Sequence, residues 1–253
     1  MPPKFEVRAK ERIRKGLERY AQILSQSAQR GINEEDTSTI VQSILVDLLG
    51  YDRFSEVTGQ FATKGRWADW AVKVSDQLNF FVEVKALGTK LREKDLFQVT
   101  GYSRQHDLEW AILSTGEVWE CYRVASGQDA EEFFEVRITD PAQPIEEKVE
   151  RFYLLSKEGY SCGLMRERWA EIQSFRPERL AQIIISDEVL TSVRKIIHRD
   201  NPGNRVQMES LREAVARGVI RGDLKICLEP TCGHGKRKKT AAAEVTPSQP
   251  ANQ

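Results

Sequence analysis

The sequence predicts an α/β fold, and three observations support this prediction. Apolar residues recur every three to four positions in two segments near the N-terminus, which is the spacing of helices. From Ser55 the spacing falls to two, as in strands. After Pro141 and Pro144 the helical spacing returns. The order of helix, three strands, helix and further strands is typical of an α/β domain, followed here by a helical C-terminal region.

The two N-terminal helices are predicted over residues 5–28 and from about Glu34 to Gly50. Gly50 ends the second helix, because glycine tolerates the left-handed conformation that follows many helices. The apolar stripe of the first helix is formed by Ile13, Leu17, Tyr20 and Leu24. The broader buried face of the second is formed by Ile40, Val41, Ile44, Leu45, Leu48 and Leu49.

Three strands are predicted in SEVTGQFAT, RWADWAVKV and NFFVEVKAL. A helix follows in KLREKDLFQVTGYSRQHD, then a hairpin in WAILSTGEVWECYRV that turns at Thr115-Gly116, and a last strand in FFEVRI. Helices with apolar stripes are predicted again at about 145–158, 163–173, 177–185, 187–199 and 208–219.

These elements divide the chain into four parts. We expect an N-terminal helix at 1–29, the α/β domain at 30–138, a helical region at 139–228 and a disordered basic tail at 229–253. The helical region has two interpretations. It is a layer that buries one face of the sheet, or a small DNA-binding or dimerising unit centred on RVQMESLREAVARGVI.

Composition limits the classes of protein to consider. Because 38 Lys and Arg balance 38 Asp and Glu, a DNA contact must come from a local patch. No apolar run approaches the roughly 18 residues of a membrane span, and we expect no membrane partner. The N-terminal segment lacks the apolar region of a secretory signal. The four cysteines are scattered, which indicates reduced thiols and a cytoplasmic protein.

The segment FFVEVKALG, residues 80–88, carries two charges inside an apolar strand. Side chains alternate across a strand, so Phe81, Glu83 and Lys85 share one face, while the other face is entirely apolar. Since the apolar face supplies the core, we expect the charged face to look into a cleft.

Asp69, in the preceding strand, is predicted to lie directly opposite Glu83. A hairpin symmetric about Asp76 pairs residue i with residue 152 − i, which places the two Cβ atoms on the order of 5 Å apart. Facing carboxylates destabilise a sheet unless a cation compensates them, and Mg²⁺ suits oxygen ligands. Lys85, about 7 Å along the strand from Glu83, could then reach a metal-bound water or a phosphate. The alternative is a partly exposed sheet face, with a Glu–Lys pair worth less than about 1 kcal/mol.

These residues resemble the PD-(D/E)xK nuclease superfamily, and more closely the N-terminal nuclease domain of type I restriction enzyme R subunits. The matching segments lie in order over about residues 33–124: NEEDTSTIVQSILVDLLGYD, KGRWADWAVKV, FFVEVKALG, FQVTGYSRQ and WAILSTGEVWECYRV. The resemblance implies a restriction-endonuclease-like core of helix, three-stranded meander, helix and further strands. It also implies Mg²⁺-dependent hydrolysis of DNA phosphodiester bonds, with Mn²⁺ as an alternative ion.

The resemblance further implies a role for each residue of the central motif. Asp69 matches the motif aspartate, and Glu83 with Lys85 matches the ExK pair. The implied metal ligands are Asp69, Glu83 and the backbone carbonyl of Val84. Ala68 stands where the name of the superfamily has proline, a common departure that leaves the chemistry intact.

Residues on the two flanking helices complete the implied site. Gln98 and Tyr102 match a QxxxY motif and share one helix face, and Gln98 is implied to be catalytic. Glu34 matches an acid of the opening helix, with Glu35 as the alternative. Ser38 stands where the R subunits often have arginine, so a contact made by that arginine is expected to be missing.

The sequence contains no GxxxxGK[ST] phosphate loop, so we expect no ATP site. The chain therefore resembles the nuclease module without its motor. Two alternatives stay open: a non-catalytic nucleic-acid or protein binding module, and a nuclease subunit that assembles with a separate ATPase or specificity subunit in a restriction or defence complex. A homo-oligomer is also compatible with the sequence.

Other side chains have a functional and a structural interpretation. A basic group near the strand ends and the following helix could bind DNA phosphates or be solvated surface charge: Lys64, Arg66, Lys90, Arg92, Lys94 and Arg104, with Tyr102 added as a DNA contact. Trp67, Trp70, Trp110 and Trp119 could stack on bases, although packing is the simpler interpretation. Cys227, Cys232 and His234 form a partial zinc pattern without a fourth ligand.

Overall fold

A computed structural model describes residues 2–63, 66–203 and 205–220, and it confirms an α/β fold with a mixed six-stranded sheet. The helices are α1 (Lys4–Arg30), α2 (Glu34–Ser43), α3 (Glu93–Gln105), α4 (Ile145–Leu155), α5 (Lys157–Ser161), α6 (Leu164–Ser174), α7 (Pro177–Ile184), α8 (Asp187–Asp200) and α9 (Met208–Gly218). The strands are β1 (Val57–Thr63), β2 (Arg66–Val74), β3 (Gln77–Val84), β4 (Trp110–Ser114), β5 (Val118–Arg123) and β6 (Glu131–Arg137). Helix α2 continues as a π-helical turn, Ile44–Leu48.

The strands follow the order β1-β2-β3-β4-β5-β6, and β3 and β4 are the parallel pair in an otherwise antiparallel sheet. A parallel pair needs a crossover connection, and α3 supplies it. Helix α3 packs against both strands that it connects. The crossover therefore places α3 on one face of the sheet, beside the C-terminal end of β3.

The hairpin between β2 and β3 keeps the predicted register through a different turn. The pairs Trp70–Val82, Ala71–Phe81 and Val72–Phe80 obey the 152 − i rule. The predicted symmetry about Asp76 is wrong at the turn itself, because Ser75 and Asp76 form a two-residue turn with φ of 51° and 62°. A bulge between Val72 and Lys73 restores the register.

Both faces of the sheet are covered. Phe80, Val82 and Val84 enter the larger core, together with residues of α1, α2 and α4. Phe81 enters a second core with Val99 and Tyr102 of α3. The expectation that the face of Phe81 and Glu83 opens into a cleft is therefore wrong, since α3 covers it and Glu83 is only 2% exposed.

Arg12 fastens α1 to the end of the second helical segment. Its guanidinium donates hydrogen bonds to the backbone oxygens of Leu48 and Leu49, at 3.1 and 3.3 Å, and to both carboxylate oxygens of Glu158 at 2.8 Å. Gly50 ends the segment as predicted, with φ of 84°. A Cβ at Gly50 would lie 2.6 Å from the Arg12 guanidinium, so a larger residue would have to displace this hydrogen-bonded group as well as adopt a strained conformation.

The chain divides into two compact units, Met1–Glu171 and the part from Ile172 onward. The first unit contains the sheet, and α1 and α4 share its core. The predicted boundaries after residues 29 and 138 are therefore not boundaries between compact units. The predicted basic tail lies outside the described residues.

The second unit is described from Ile172 to Ile220, apart from residue 204. Ala181, Ile185 and Ile220 form its small core. The buried guanidinium of Arg212 donates hydrogen bonds to the backbone oxygen of Ile185 and to Asp187. Among the residues that the structure describes, no helix is both long and apolar enough to cross a membrane.

Candidate active site

Glu83 is a buried carboxylate next to the last residue of β3. Its Oε1 accepts hydrogen bonds from Nζ of Lys85 at 2.6 Å and from Nε2 of Gln98 at 2.7 Å. Its Oε2 is buried and has no hydrogen-bond partner in the described part of the chain. A buried oxygen without a partner is costly, so this atom is free for a further ligand.

Lys85 lies just beyond the end of β3, where its backbone still pairs with β4. Its N–H donates to the backbone oxygen of Ser114 at 2.8 Å, which fixes the start of its side chain. The ammonium reaches Glu83 and also lies 3.9 Å from a carboxylate oxygen of Glu34. The side chain of Lys85 is 16% exposed, compared with 3% for Glu83 and 55% for Glu34, so the charged cluster is accessible from the side of Lys85 and Glu34.

Asp69 reaches the same place from β2. The last β2–β3 pair is Trp70–Val82, and beyond it the Asp69 carboxylate accepts a hydrogen bond from the backbone N–H of Val84 at 2.8 Å. The Asp69 side chain thus accepts the hydrogen bond that a backbone oxygen of β2 would accept if the pairing of β2 with β3 continued. Asp69 lies close to β3, as predicted. Its hydrogen bond, however, is to the backbone of Val84, the residue after Glu83.

The charges of the cluster shift one another's pKa values. Burial is the largest cause that raises the pKa of Glu83 to about 7, and the negative charge of Asp69 adds to it. Burial also raises the pKa of Asp69, although the hydrogen bond from Val84 opposes this. Burial alone would lower the pKa of Lys85, but its hydrogen bond to Glu83 and the surrounding carboxylates raise it overall. Both carboxyl groups are therefore harder to ionise than usual. A cation beside them would stabilise their ionised forms.

The donor set fits a divalent cation in its chemistry. Glu83 offers a buried oxygen without a hydrogen-bond partner. Asp69 offers a second carboxylate, which is hydrogen-bonded to the backbone of Val84. Within the described residues, no three His, Cys, Asp or Glu side chains are grouped to hold a metal ion. A cation here would therefore need backbone oxygen, water or substrate oxygen to complete its ligands.

Helix α2 brings Glu34 to the other side of Lys85. Asn33 caps the helix by accepting a hydrogen bond from the N–H of Asp36 at 2.8 Å, so Glu34 is the first helical residue. Glu34 is more than half exposed, which leaves its carboxylate accessible. Glu35, the alternative match, is exposed, and the ion pair with Lys85 favours Glu34.

Two hydroxyls that hold α2 in place were not identified from the sequence. Thr37 accepts a hydrogen bond from the N–H of Leu87 at 3.1 Å, and Ser38 accepts one from Nε1 of Trp70 at 2.9 Å. Ser38 therefore makes a structural contact of its own at the position where an arginine contact was expected to be missing. The sequence contains no pattern that links these residues, because each bond joins segments far apart in the chain.

Gln98 and Tyr102 share one face of α3, as predicted. Nε2 of Gln98 is 2.9 Å from the hydroxyl of Tyr102, and Tyr102 is 2% exposed with its ring against Phe81. Gln98 contacts the carboxylate of Glu83, so we describe it as a positioning residue. The burial of Tyr102 opposes the prediction that it contacts DNA and places it behind Gln98 as a support.

The predicted basic residues differ in exposure and in their contacts. Lys90 and Arg92 are exposed before and at the start of α3, and Arg104 donates a hydrogen bond to the backbone oxygen of Gln128 at 2.9 Å. Arg104 is thus partly used in holding a loop. Lys64 and the proposed zinc residues Cys227, Cys232 and His234 lie outside the described residues, and so does the side chain of Arg66.

The tryptophans differ in exposure. Trp110 and Trp119 are buried in the larger core, and Trp70 is partly buried against it. Trp67 is 59% exposed. Packing is therefore the structural role of Trp70, Trp110 and Trp119, and stacking on a base stays open for Trp67.

Comparison of the chain with models of protein families, with curated proteins and with solved structures finds no match. The likeness to PD-(D/E)xK nucleases therefore rests on the residues and motifs of this chain alone.

Proposed function

We propose that the protein is a divalent-metal-dependent nuclease that hydrolyses DNA phosphodiester bonds. The observation that supports this most strongly is the convergence of Asp69, from within β2, with Glu83 and Lys85 at the C-terminal end of β3. Their chemistry suits the reaction, because two carboxylates bind a cation and an ammonium stabilises a phosphate that gains negative charge. An ordinary surface Glu–Lys pair would not be buried beside a second carboxylate.

The finer fold assignment is part of the same proposal. We infer a PD-(D/E)xK core made of α2, β1, β2, β3, α3 and β4, in that order along the chain. This order agrees with the helix, three strands, helix and strand of the superfamily. The site residues also lie on the elements that the resemblance to type I R subunits implies: Glu34 on α2, Asp69 on β2, Glu83 on β3 with Lys85 just after it, and Gln98 on α3.

In this proposal Asp69, Glu83 and the backbone carbonyl of Val84 hold Mg²⁺, or Mn²⁺ in its place. When bound, the ion lowers the pKa of a bound water and neutralises charge on the phosphate. Lys85 orients the water or the attacked phosphate, and its ion pair with Glu34 keeps the ammonium beside the carboxylates. Gln98 keeps Oε1 of Glu83 in position by its hydrogen bond.

The test is cleavage of linear duplex, circular duplex and single-stranded DNA, each with Mg²⁺, Mn²⁺ or EDTA. Wild-type protein is expected to cleave in the presence of either ion and not in EDTA. Lys85→Ala is expected to lose cleavage while its thermal unfolding stays cooperative. Lys15→Ala is the matched control, because Lys15 is an exposed lysine of α1 that pairs with the exposed Glu11. Cleavage that survives in purified Lys85→Ala and Asp69→Ala would refute the proposal.

A second candidate is a binding module that keeps this fold without catalysis. The observation that favours it is the 2.6 Å hydrogen bond between Lys85 and Glu83, by which the protein supplies its own positive charge to the buried carboxylate. Calorimetric titration with Mn²⁺ separates the two candidates. A nuclease is expected to bind the ion and to lose that binding in Asp69→Asn, whereas a binding module would bind DNA equally with and without metal.

A further inference from the structure

Gln60 has a strained backbone conformation in the middle of β1. Its φ of 49° lies in the left-handed region, which is unfavourable for a residue other than glycine. Within the described ranges, the other non-glycine residues with positive φ lie in turns: Ser75, Asp76 and Asp107. Strained residues persist only where the surrounding structure requires them. The fold therefore imposes this conformation on Gln60 against its local preference.

Gln60 lies opposite Asp69, the residue whose carboxylate reaches β3. The ladder between β1 and β2 has one pair on either side of them, Gly59–Trp70 and Phe61–Ala68. Gln60 and Asp69 themselves form no ladder pair. The pairing of β2 with β3 also stops at Trp70. Both ladders of β2 are thus interrupted at Asp69.

Both strands change face at this point. On β1, Val57 lies in the larger core, whereas Phe61, four residues later, packs against the second core on the other face of the sheet. On β2, Trp70 packs against the larger core, whereas Ala68, two residues away, lies in the second core. In a regular strand, residues separated by an even number of positions share one face. Each strand therefore departs from regular alternation between these residues.

The two changes of face depend on each other. Phe61 and Ala68 are paired, and residues that are paired across a ladder project on the same face. If β1 ran regularly through Gln60, Phe61 would project on the face opposite Ala68, and this pair could not form. The left-handed conformation of Gln60 is therefore coupled to the irregularity of β2 at Asp69.

This irregularity accounts for the position of the Asp69 carboxylate. In a regular strand the side chain stands roughly perpendicular to the sheet, whereas the backbone N–H groups point along the sheet toward the neighbouring strand. The carboxylate nevertheless accepts a hydrogen bond from the backbone N–H of Val84 at 2.8 Å, so it reaches between the strands.

We propose that Gln60 is a positioning residue for Asp69. Its left-handed backbone keeps β1 and β2 out of regular pairing at the residue whose carboxylate reaches β3. The role of Asp69 as a metal ligand rests on the proposed function. The coupling of Gln60 to the hydrogen bond between Asp69 and Val84 does not.

Hydrogen exchange of the Val84 amide in metal-free protein tests this coupling. Gln60→Val introduces a β-branched residue that disfavours positive φ, and it is expected to accelerate this exchange at least about tenfold. Gln60→Gly and Gln60→Asn tolerate positive φ and are expected to exchange like the wild type. Asp69→Ala gives the rate without the acceptor. The Lys85 amide is the internal control, because it donates to Ser114 of β4.

Calorimetry with Mn²⁺ tests the consequence for the site. Gln60→Val is expected to lose about 10- to 100-fold in affinity for the ion, while Gln60→Gly and Gln60→Asn stay close to the wild type. Thr58→Val is the matched control, because it places the same side chain at a position of β1 that pairs regularly with Ala71. It is expected to change neither the exchange of Val84 nor the affinity.

Three results would overturn the inference. The first is wild-type exchange and affinity in Gln60→Val. The second is an equal loss in Gln60→Gly and Gln60→Val, because the side chain and not the backbone would then be responsible. The third is equal acceleration of the Val84 and Lys85 amides, which would indicate general loosening of the sheet. A wild-type protein that binds no Mn²⁺ would contradict the proposed function, whereas the exchange test would still decide the role of Gln60.

Discussion

Gln98 donates a hydrogen bond to the buried carboxylate of Glu83, with 2.7 Å between Nε2 and Oε1, and so ties helix α3 to the end of β3. The same amide nitrogen lies 2.9 Å from the hydroxyl of Tyr102. The carboxylate is therefore positioned by a helix that is the crossover between the two parallel strands.

Replacing Gln98 should weaken metal binding more than it weakens the fold. Without its amide, Glu83 Oε1 is held by Lys85 alone, and loss of a bond that orients a ligand typically costs about 10- to 100-fold in metal affinity or activity. Calorimetry with Mn²⁺ on Gln98→Ala, with thermal unfolding in parallel, measures both effects. Tyr102→Phe is the control, because it leaves the bond from Gln98 to Glu83 in place. Equal losses in the two variants would contradict the positioning role.

Without metal, the protein should lose stability as the pH rises from about 4.5 to about 7. Glu83 has an ordinary pKa of 4.5 and a folded-state pKa of about 7, so the folded state binds more protons than the unfolded state between these values. The contribution of Glu83 to the free energy of unfolding is then largest below pH 4.5 and falls, by on the order of 3 kcal/mol at most, up to pH 7. Urea unfolding in EDTA at several pH values checks this. Glu83→Gln should remove most of the slope, and an unchanged slope would argue against the assignment.

Arg12→Ala should destabilise the first unit strongly. The substitution removes the hydrogen bonds to Leu48 and Leu49 and leaves the partly buried Glu158 without its cation. Burial would raise the pKa of Glu158, but Arg12 holds it below its usual value. We expect a loss of about 2–4 kcal/mol in the free energy of unfolding, measured with urea. Lys15→Ala, on the same helix and in an exposed pair, should change it by less than about 0.5 kcal/mol.

Two glycine substitutions should have opposite signs. Gly59 pairs with Trp70, and a Cβ there would lie 2.8 Å from the indole ring, which is itself bonded to Ser38. Gly59→Ala should therefore destabilise the protein by about 1–3 kcal/mol. Gly101→Ala meets open space inside α3 and should stabilise it by about 0.5–1 kcal/mol. Thermal unfolding of both variants gives the sign directly, and a stabilised Gly59→Ala would show that the indole is free to move.

The periodic parts of the structure could be predicted from the sequence, since period and residue type act locally. The helices and strands lie close to where the patterns predict them, except that the helix predicted at 145–158 is divided into α4 and α5. The turn was mispredicted because Ser75 and Asp76 take positive φ values without a glycine to indicate them. The bulge between Val72 and Lys73 then compensates for the shorter turn.

The burial of Glu83 could not be predicted, because it depends on where α3 docks. Alternation within β3 places Glu83 and Lys85 on one face, but it does not say what covers that face. The bonds from Thr37 to Leu87 and from Ser38 to Trp70 are equally inaccessible to sequence patterns. They join residues 50 and 32 positions apart, so only the folded chain brings them together.

The shared core of α1, α4 and the sheet decides how the chain can be shortened for study. A fragment of residues 30–138 would retain Asp69, Glu83 and Lys85, yet it would expose to water the apolar face of the sheet that α1 and α4 cover. Such a fragment is expected to aggregate when expressed alone. The compact unit Met1–Glu171 keeps both faces of the sheet covered, and it is the piece to produce for crystals and for assays of the site.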